Sequence, residues 1–248
     1  MGFNFSKCKV MHLGNRGDLS NREYSFNIYN GTQQISHTLE TTKSERDLGI
    51  IIRDDLKWND QINSAISKAN SSLSRLKRAF PNWNIQTFKI LYNSFVRPHL
   101  EYAAVTWNPF KKQDIKLIEN VQRRATKCVS SLRNKSYEER LKILNLITLK
   151  DRRERGDLIQ LFKIEKKINL IEWYHPLIQA PNTNTIGPSS STRSNKRKYR
   201  QFVKSCPPRN NFFTNRTANA WNMIPDNLID SNTVNAFKNK YDKLTISF

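Results

Sequence analysis

The spacing of apolar residues changes at Trp58, and this change constrains the fold more than any other feature. Before it, YSFNIY (24–29) alternates by twos and meets Asn30-Gly31, a pattern typical of a β-hairpin. After it, apolar residues recur every three or four positions, which places them on one helical face: Ile62, Ile66, Ala69, Leu73, Leu76 and Phe80. The sequence therefore predicts an α+β fold that is predominantly α-helical, with a small N-terminal antiparallel β-sheet within about residues 7–53.

Further signals divide the rest of the chain. Pro98 should end or kink a second helix, because proline lacks the amide donor. Ser136 and Glu139 form a capping box, and Thr148 is a candidate cap for a later helix. The predicted segments are a β-rich 1–56, a helical bundle 57–135, a helical extension 136–178, a disordered basic linker 179–208 and a small C-terminal helical unit 209–248.

The linker prediction rests on composition. Residues 179–200 are polar, are interrupted by Pro and Gly, and are rich in Ser, Thr and Asn. Between Trp173 and Pro225 there is no acidic residue, whereas eight Lys or Arg occur there. Such a segment buries too little apolar surface to offset the entropy of ordering, so we expect 179–208 to be the least ordered internal segment.

Net charge favours a polyanionic partner. The chain carries 42 Lys and Arg against 21 Asp and Glu, a formal charge of +21, and its pI is about 10.1. Nucleic acid is the first expectation and an anionic membrane surface the second. No apolar run approaches the roughly 20 residues of a membrane helix, so no membrane span is predicted. Three widely spaced cysteines favour a reducing compartment, hence an intracellular location in the cytoplasm or nucleus.

Clusters of basic residues on the predicted helices are the best candidates for phosphate contacts. They lie at the end of the first helix, on the third helix, near residue 152 and in the linker. The candidate nucleic-acid-binding residues are Arg75, Lys77, Arg78, Arg123, Arg124, Lys127, Arg152, Arg153, Arg193, Lys196, Arg197, Lys198 and Arg200. Tyr92, Tyr102 and Trp107 could stack on bases, but their helical spacing favours a place in the core.

Asp54-Asp55 in IIRDDLKW (51–58) is the close carboxylate pair whose setting suits metal chemistry. Nucleotidyl-transfer enzymes hold divalent cations with such pairs. A two-metal site needs a further carboxylate, and the nearby candidates, Asp18 and Asp47, do not lie inside apolar strands. We favour a turn in which Asp55 precedes the first helix. We predict no catalytic residue, metal site or cofactor; a nuclease using the pair is the less favoured alternative.

Ten sequence blocks together resemble the C-terminal part of a reverse transcriptase from non-LTR, jockey-like retrotransposons. They cover nearly the whole chain, and their order strengthens the resemblance. The blocks are FNFSKCKVMHLG (3–14), ERDLGIII (45–52), DLKWNDQI (55–62), KANSSLSRLKRAF (68–80), LYNSFVRPHLEYAAVTWNP (91–109), IENVQRRATK (118–127), YEERLKILNL (137–146), RRERGDLIQLFKI (152–164), NFFTNR with AWNMIP (211–225) and AFKNKYD (236–242).

The resemblance implies the end of the palm, a helical thumb and a helical C-terminal region. Leu48-Gly49 matches the Leu-Gly pair of the family's primer-grip hairpin. The family's Tyr-x-Asp-Asp turn precedes the stretch resembled by FNFSKCKVMHLG and would lie upstream of Met1, so Asp54-Asp55 would be a turn at the thumb entrance. We expect a truncated reverse transcriptase without its catalytic aspartates, inactive on its own, that still binds RNA, DNA or their hybrid. An unrelated basic helical nucleic-acid-binding protein is the alternative.

Overall fold

The computed structural model describes residues 7–14, 22–30, 33–172, 199 and 206–246. The chain divides into two compact units, Met1–Ala65 and Ile66–Phe248. The strands lie in the first unit, and most of the helices lie in the second. The predicted class, α+β with a predominance of α-helix, is confirmed.

The strands of the first unit are short and pair in twos. They are β1 (Lys9–Val10), β2 (Ser25–Asn30), β3 (Gln33–Thr38), β4 (Glu40–Thr41), β5 (Ser44–Asp47) and β6 (Ile50–Arg53). β2 pairs with β3 and β5 with β6, both antiparallel, whereas β1 and β4 are parallel. The predicted antiparallel pairing is thus present, but as short ladders rather than one sheet. Among the described residues of this unit, the buried apolar side chains are Ile50, Ile62 and Ala65.

By its apolar residues alone, RDLGIII (46–52) would be interpreted as one strand, and the structure corrects this. It contains a hairpin whose two-residue turn is Leu48-Gly49, with φ of 45° and 85°. Positive φ at both positions is the geometry that tight hairpin turns require, and glycine adopts it without a Cβ clash. Leu48 adopts the same region at a steric cost and is 83% exposed.

The helices begin at the position where the apolar period changes. They are α1 (Asn59–Ala79), α2 (Ile85–Leu91), α3 (Arg97–Glu101), α4 (Lys112–Thr126), α5 (Tyr137–Leu144), α6 (Leu149–Glu165), α7 (Pro207–Asn210), α8 (Phe213–Asn222), α9 (Asp226–Ile229) and α10 (Val234–Ile246). A π-helical turn, Tyr92–Val96, joins α2 to α3, and the Arg97 amide donates to the Tyr92 carbonyl five residues back. Pro98 follows directly, so the wider turn lies where proline disturbs α-helical hydrogen bonding.

The predicted helix starts at Ser136 and Thr148 are confirmed. The Ser136 hydroxyl accepts from the Glu139 amide, and the Glu139 carboxylate accepts from the Ser136 amide. The Thr148 hydroxyl accepts from the Asp151 amide and begins α6. These bonds satisfy amides that have no partner within a helix.

Helix α6 and the C-terminal helices share one core. Phe162 of α6 stacks on Phe237 of α10, with ring centroids 4.4 Å apart, and Trp221 of α8 lies beside Phe237. Tyr199 is also buried there, and its backbone exchanges two hydrogen bonds with the Asn222 side chain. This core therefore joins residues on both sides of the predicted linker 179–208. Apart from Tyr199 and residues 206–208, that linker and its predicted disorder lie outside the described residues.

Candidate nucleic-acid interface

Three of the predicted phosphate contacts lie in the last turns of α1. Arg75, Lys77 and Arg78 are all exposed. Arg75 donates a hydrogen bond of 3.4 Å to the Ser72 hydroxyl, which directs its guanidinium along the helix surface. Positive charge is also favoured at a helix C-terminus by the helix dipole, and this accounts for part of the clustering without any ligand.

A second exposed group lies at the end of α4. Arg123, Arg124 and Lys127 are exposed, and Lys127 is the C-terminal cap residue. The Arg123 guanidinium carbon lies 4.1 Å above the centroid of the Tyr137 ring. This stacking holds Arg123 against α5, so its charge is fixed in position more firmly than that of a free surface arginine.

The ends of α1 and α4 lie close together. Trp83, just after α1, forms a parallel β-bridge with Val129, just after α4. Burial raises the pKa of the Cys128 thiol, and the charges of Lys77 and Arg133 partly offset this by lowering it. Lys77 of α1 and Arg133 beyond α4 therefore act on the same thiol. We use "basic ends" below for Arg75, Lys77, Arg78, Arg123, Arg124 and Lys127.

The basic ends are distinguished by what their side chains contact. None of the six forms an ion pair with a carboxylate in the described part of the chain. By contrast, Arg53, Arg97, Arg152, Arg155 and Arg216 all do. The described arginines thus form one class held by carboxylates or carbonyls, and a second class, including those of the basic ends, whose charge faces solvent.

Arg152 and Arg153 belong to the first class. Arg152 is half-buried and pairs with Glu101 of α3. Arg153 is 6% exposed and donates to the Leu100 carbonyl at 2.7 Å, and its guanidinium lies over Trp107. Burial lowers the pKa of Arg153 to about 10. Neither residue offers its charge to a phosphate in solution, so we leave both out of the interface.

The remaining predicted contacts, Arg193, Lys196, Arg197, Lys198 and Arg200, lie outside the described residues. Tyr199, within this run, is described and buried, and its hydroxyl donates to the Glu165 carboxylate of α6. Tyr199 therefore attaches the basic run to α6.

Sequence reasoning missed a polar network beneath α4. Gln122, fully buried, accepts from the Tyr92 hydroxyl at 2.7 Å and donates to the Tyr137 hydroxyl at 2.9 Å. Glu119 accepts from Tyr137 and, at 2.9 Å, from the Leu149 amide. The available signal in the sequence was that Glu119 and Gln122 lie next to the apolar positions Ile118 and Val121 of the predicted helix. The network fixes the π-helical turn after α2, together with α5 and α6, around the helix that carries Arg123 and Arg124.

The aromatic candidates divide as follows. Tyr92 and Trp107 are fully buried, which confirms the preference for core positions. Tyr102 is 58% exposed, so the core interpretation was wrong for it. It lies in the turns that follow α3, where its carbonyl accepts from the Trp107 indole at 2.8 Å.

The Asp54-Asp55 pair lies in a turn after β6, as the favoured interpretation predicted. Asp54 accepts from the Asp55 amide, and Asp55 accepts from Arg53 and from the Lys57 amide. The Lys57 ammonium lies 3.0 Å from the other oxygen of Asp55. In the described part of the chain, no group of three or more His, Cys, Asp or Glu is arranged to hold a metal ion. The carboxylate of Asp55 therefore stabilises the turn by binding the Arg53 guanidinium and the Lys57 ammonium.

We expect Asp55→Asn to reduce acid sensitivity of the first unit. Partial burial raises the pKa of Asp55, but hydrogen bonds from Lys57 and Arg53 outweigh it and lower the pKa to about 2. A lowered folded-state pKa gives stability that is present above the unfolded pKa near 4 and is lost as pH falls toward 2. The loss should be roughly 1 kcal/mol after solvent screening. Urea unfolding at pH 7 and pH 3 should show a smaller difference for the variant than for the wild type; an unchanged difference would refute the assignment.

Comparison with known proteins gives limited information. No protein-family model matches the chain, and no solved structure matches it. A similar protein is the Caenorhabditis elegans "Uncharacterized protein B0403.1", which is 26% identical over 147 residues. The aligned stretch spans 58% of this chain and 72% of that protein. In the described helices, none is both long and apolar enough to cross a membrane.

Proposed function

We propose that the chain binds duplex nucleic acid through phosphates contacted by the basic ends of α1 and α4. The observation that carries the proposal is the separation of the arginines into two classes. Six exposed cations at two adjacent helix ends have no described carboxylate partner, whereas buried and half-buried arginines are paired or bonded to carbonyls.

Charge balance gives the physical reason. A chain of net charge +21 repels itself, and neighbouring unpaired cations add to this repulsion. A phosphate backbone relieves it and releases counterions, which drives binding without reading bases. The rigid support of Arg123 by Tyr137 also reduces the entropy lost when its guanidinium is fixed on a phosphate.

We further propose that the chain as a whole corresponds to the end of the palm, the thumb and the C-terminal region of a non-LTR retrotransposon reverse transcriptase. The support is the order of the ten blocks and the Leu48-Gly49 hairpin turn before the helices. Few apolar side chains are buried among the described residues of the first unit, as is expected of strands that continue a larger palm sheet.

In this proposal the chain alone does not polymerise. Purified protein with a primed RNA template, magnesium and deoxynucleotides is expected to yield no extension. Asp54→Ala with Asp55→Ala should leave binding of an RNA/DNA duplex unchanged within about twofold, because the affinity comes mainly from cations on phosphates and neither carboxylate is such a contact. Robust extension that the double variant abolishes would overturn the proposal and favour a metal site at the pair.

An unrelated basic helical binding protein remains the alternative. The upstream reading frame separates the two at low cost. A Tyr-x-Asp-Asp sequence encoded shortly before Met1 would support the polymerase origin. Its absence, together with retained duplex binding, would favour the alternative.

A further inference from the structure

One face of α1 carries a polar row that the candidate interface does not explain. Lys68, Ser72 and Arg75 are spaced i, i+4 and i+7, so they follow each other along one side of the helix. Lys68 and Arg75 are exposed, whereas Ser72 is 7% exposed. His99 of α3 lies against this row.

Three of these side chains are connected by hydrogen bonds, and Lys68 acts on His99 through its charge. The Ser72 hydroxyl oxygen is 3.1 Å from Nε2 of His99, and Arg75 donates to the same hydroxyl at 3.4 Å. Ser72 is thus the shared partner of an imidazole and a guanidinium. The hydroxyl can also donate its own hydrogen, since the serine oxygen accepts and donates at once.

The electrostatics at His99 are uniformly positive. Burial lowers the pKa of His99, and the charges of Lys68 and Arg75 lower it further. On its own helix, Glu101 is engaged by Arg97 at 3.6 Å and by Arg152. No described carboxylate therefore balances the positive field at His99. Two exposed cations, a hydroxyl and a neutral imidazole around one point are the groups that an oxyanion needs.

We propose that Lys68, Ser72, Arg75 and His99 form a binding seat for one phosphate group, and that His99 becomes protonated when the phosphate binds. The inference rests on the proposed function, because the phosphate would be one of a duplex backbone. It adds three residues, Lys68, Ser72 and His99, that were not among the predicted contacts. It also makes binding at this seat dependent on pH.

The direction of the pH dependence follows from linkage. A bound phosphate neutralises the field of Lys68 and Arg75, so the imidazolium form of His99 becomes more favourable. The pKa of His99 is then higher in the complex than in the free protein. Affinity should rise as pH falls through the interval between these two pKa values, and it should be flat above that interval.

The test is an NMR titration of the His99 imidazole against pH in the full chain. The signal is assigned by its loss in His99→Gln. Spectra are recorded without ligand, with inorganic phosphate, and with a short RNA/DNA hybrid duplex. We expect each ligand to raise the pKa of His99 by about half a unit or more.

A matched pair of variants separates the seat from general charge. Lys68→Ala with Arg75→Ala should raise the pKa of His99 in the free protein and abolish its response to both ligands. Lys112→Ala, which removes an exposed cation outside both the seat and the basic ends, should preserve the response. A response that survives the double variant would overturn the proposal.

The ligands distinguish this inference from the proposed function. If the duplex binds and the pKa of His99 does not move, the seat is wrong and duplex binding stands. If inorganic phosphate shifts His99 and the duplex does not bind, the seat stands and the proposed function falls. If neither ligand binds, both are refuted.

Discussion

Replacing Arg216 with alanine is expected to lower the free energy of unfolding by about 3–5 kcal/mol. Arg216 of α8 forms a bidentate ion pair with Asp157 of α6, with distances of 2.8 and 2.9 Å. It also donates to the carbonyls of Val105 and Asn211. Without it, the Asp157 carboxylate would keep, among the described residues, the Asn108 side-chain amide as its hydrogen-bond donor and would remain buried.

The size of this effect comes from burial rather than from the ion pair itself. The Asp157 side chain is 6% exposed, so a lost cation leaves a charge that water cannot solvate. A buried pair contributes little net stability when intact, because desolvation of both groups opposes their attraction. Removal of one partner is costly because only the desolvation of the other remains.

Arg155→Ala is the matched control. Arg155 of α6 makes the same bidentate contact with Asp242 of α10, at 2.6 and 2.8 Å. Asp242 is 37% exposed, so water replaces the lost guanidinium and the cost should be at most about 1 kcal/mol. Urea denaturation followed by circular dichroism gives both values. Equal losses for the two variants would contradict the argument from burial.

Helix positions were predictable because their signals are local. The apolar period after Trp58, the capping box at Ser136 and the cap at Thr148 depend on residues within one or two turns. Strand pairing depends on which segments meet, so the parallel pairing of β1 with β4 could not be read from either strand. The Leu48-Gly49 turn was indicated by the resemblance and not by the residue types, because leucine seldom adopts the left-handed backbone found here.

The candidate interface was predictable only in part. Arg123-Arg124 and Arg152-Arg153 look alike in sequence, yet the first pair is exposed and Arg153 is buried beneath α3. The difference arises from neighbours distant in sequence: the Leu100 carbonyl and the Trp107 ring receive Arg153, and Glu101 receives Arg152. Clustered charges in the sequence predict that a basic surface exists. Packing against residues distant in sequence determines which of the cations are exposed on it.

Removing three cations of the basic ends should weaken duplex binding steeply at low salt. The variant is Arg78→Ala, Arg124→Ala and Lys127→Ala, which spares the Tyr137 stacking of Arg123 and the seat at Arg75. Each phosphate neutralised on duplex DNA contributes about −0.9 to the slope of log K against log salt. We therefore expect the slope to flatten by about two to three units, measured by fluorescence anisotropy between roughly 50 and 200 mM salt.

The matched control removes the same charge elsewhere. Lys112, Lys142 and Lys150 are exposed and lie outside the basic ends, so their replacement by alanine also lowers the net charge by three. This control should change the slope by less than about one unit, because long-range charge is screened within roughly 10 Å at these salt concentrations. Both variants should keep wild-type stability, since exposed charges contribute little to it.

The competing view assigns binding to the basic run 193–200, which Tyr199 attaches to α6 and α8 through Glu165 and Asn222. In that case the triple variant of the basic ends would keep the wild-type slope, and replacement of the five cations of the run by alanine, with Tyr199 kept in the core, would abolish binding. If the helices supply the phosphate contacts, that replacement lowers affinity and the remaining slope is still sensitive to Arg78, Arg124 and Lys127. Comparing both variants and their combination decides the matter, because independent phosphate contacts add in the slope.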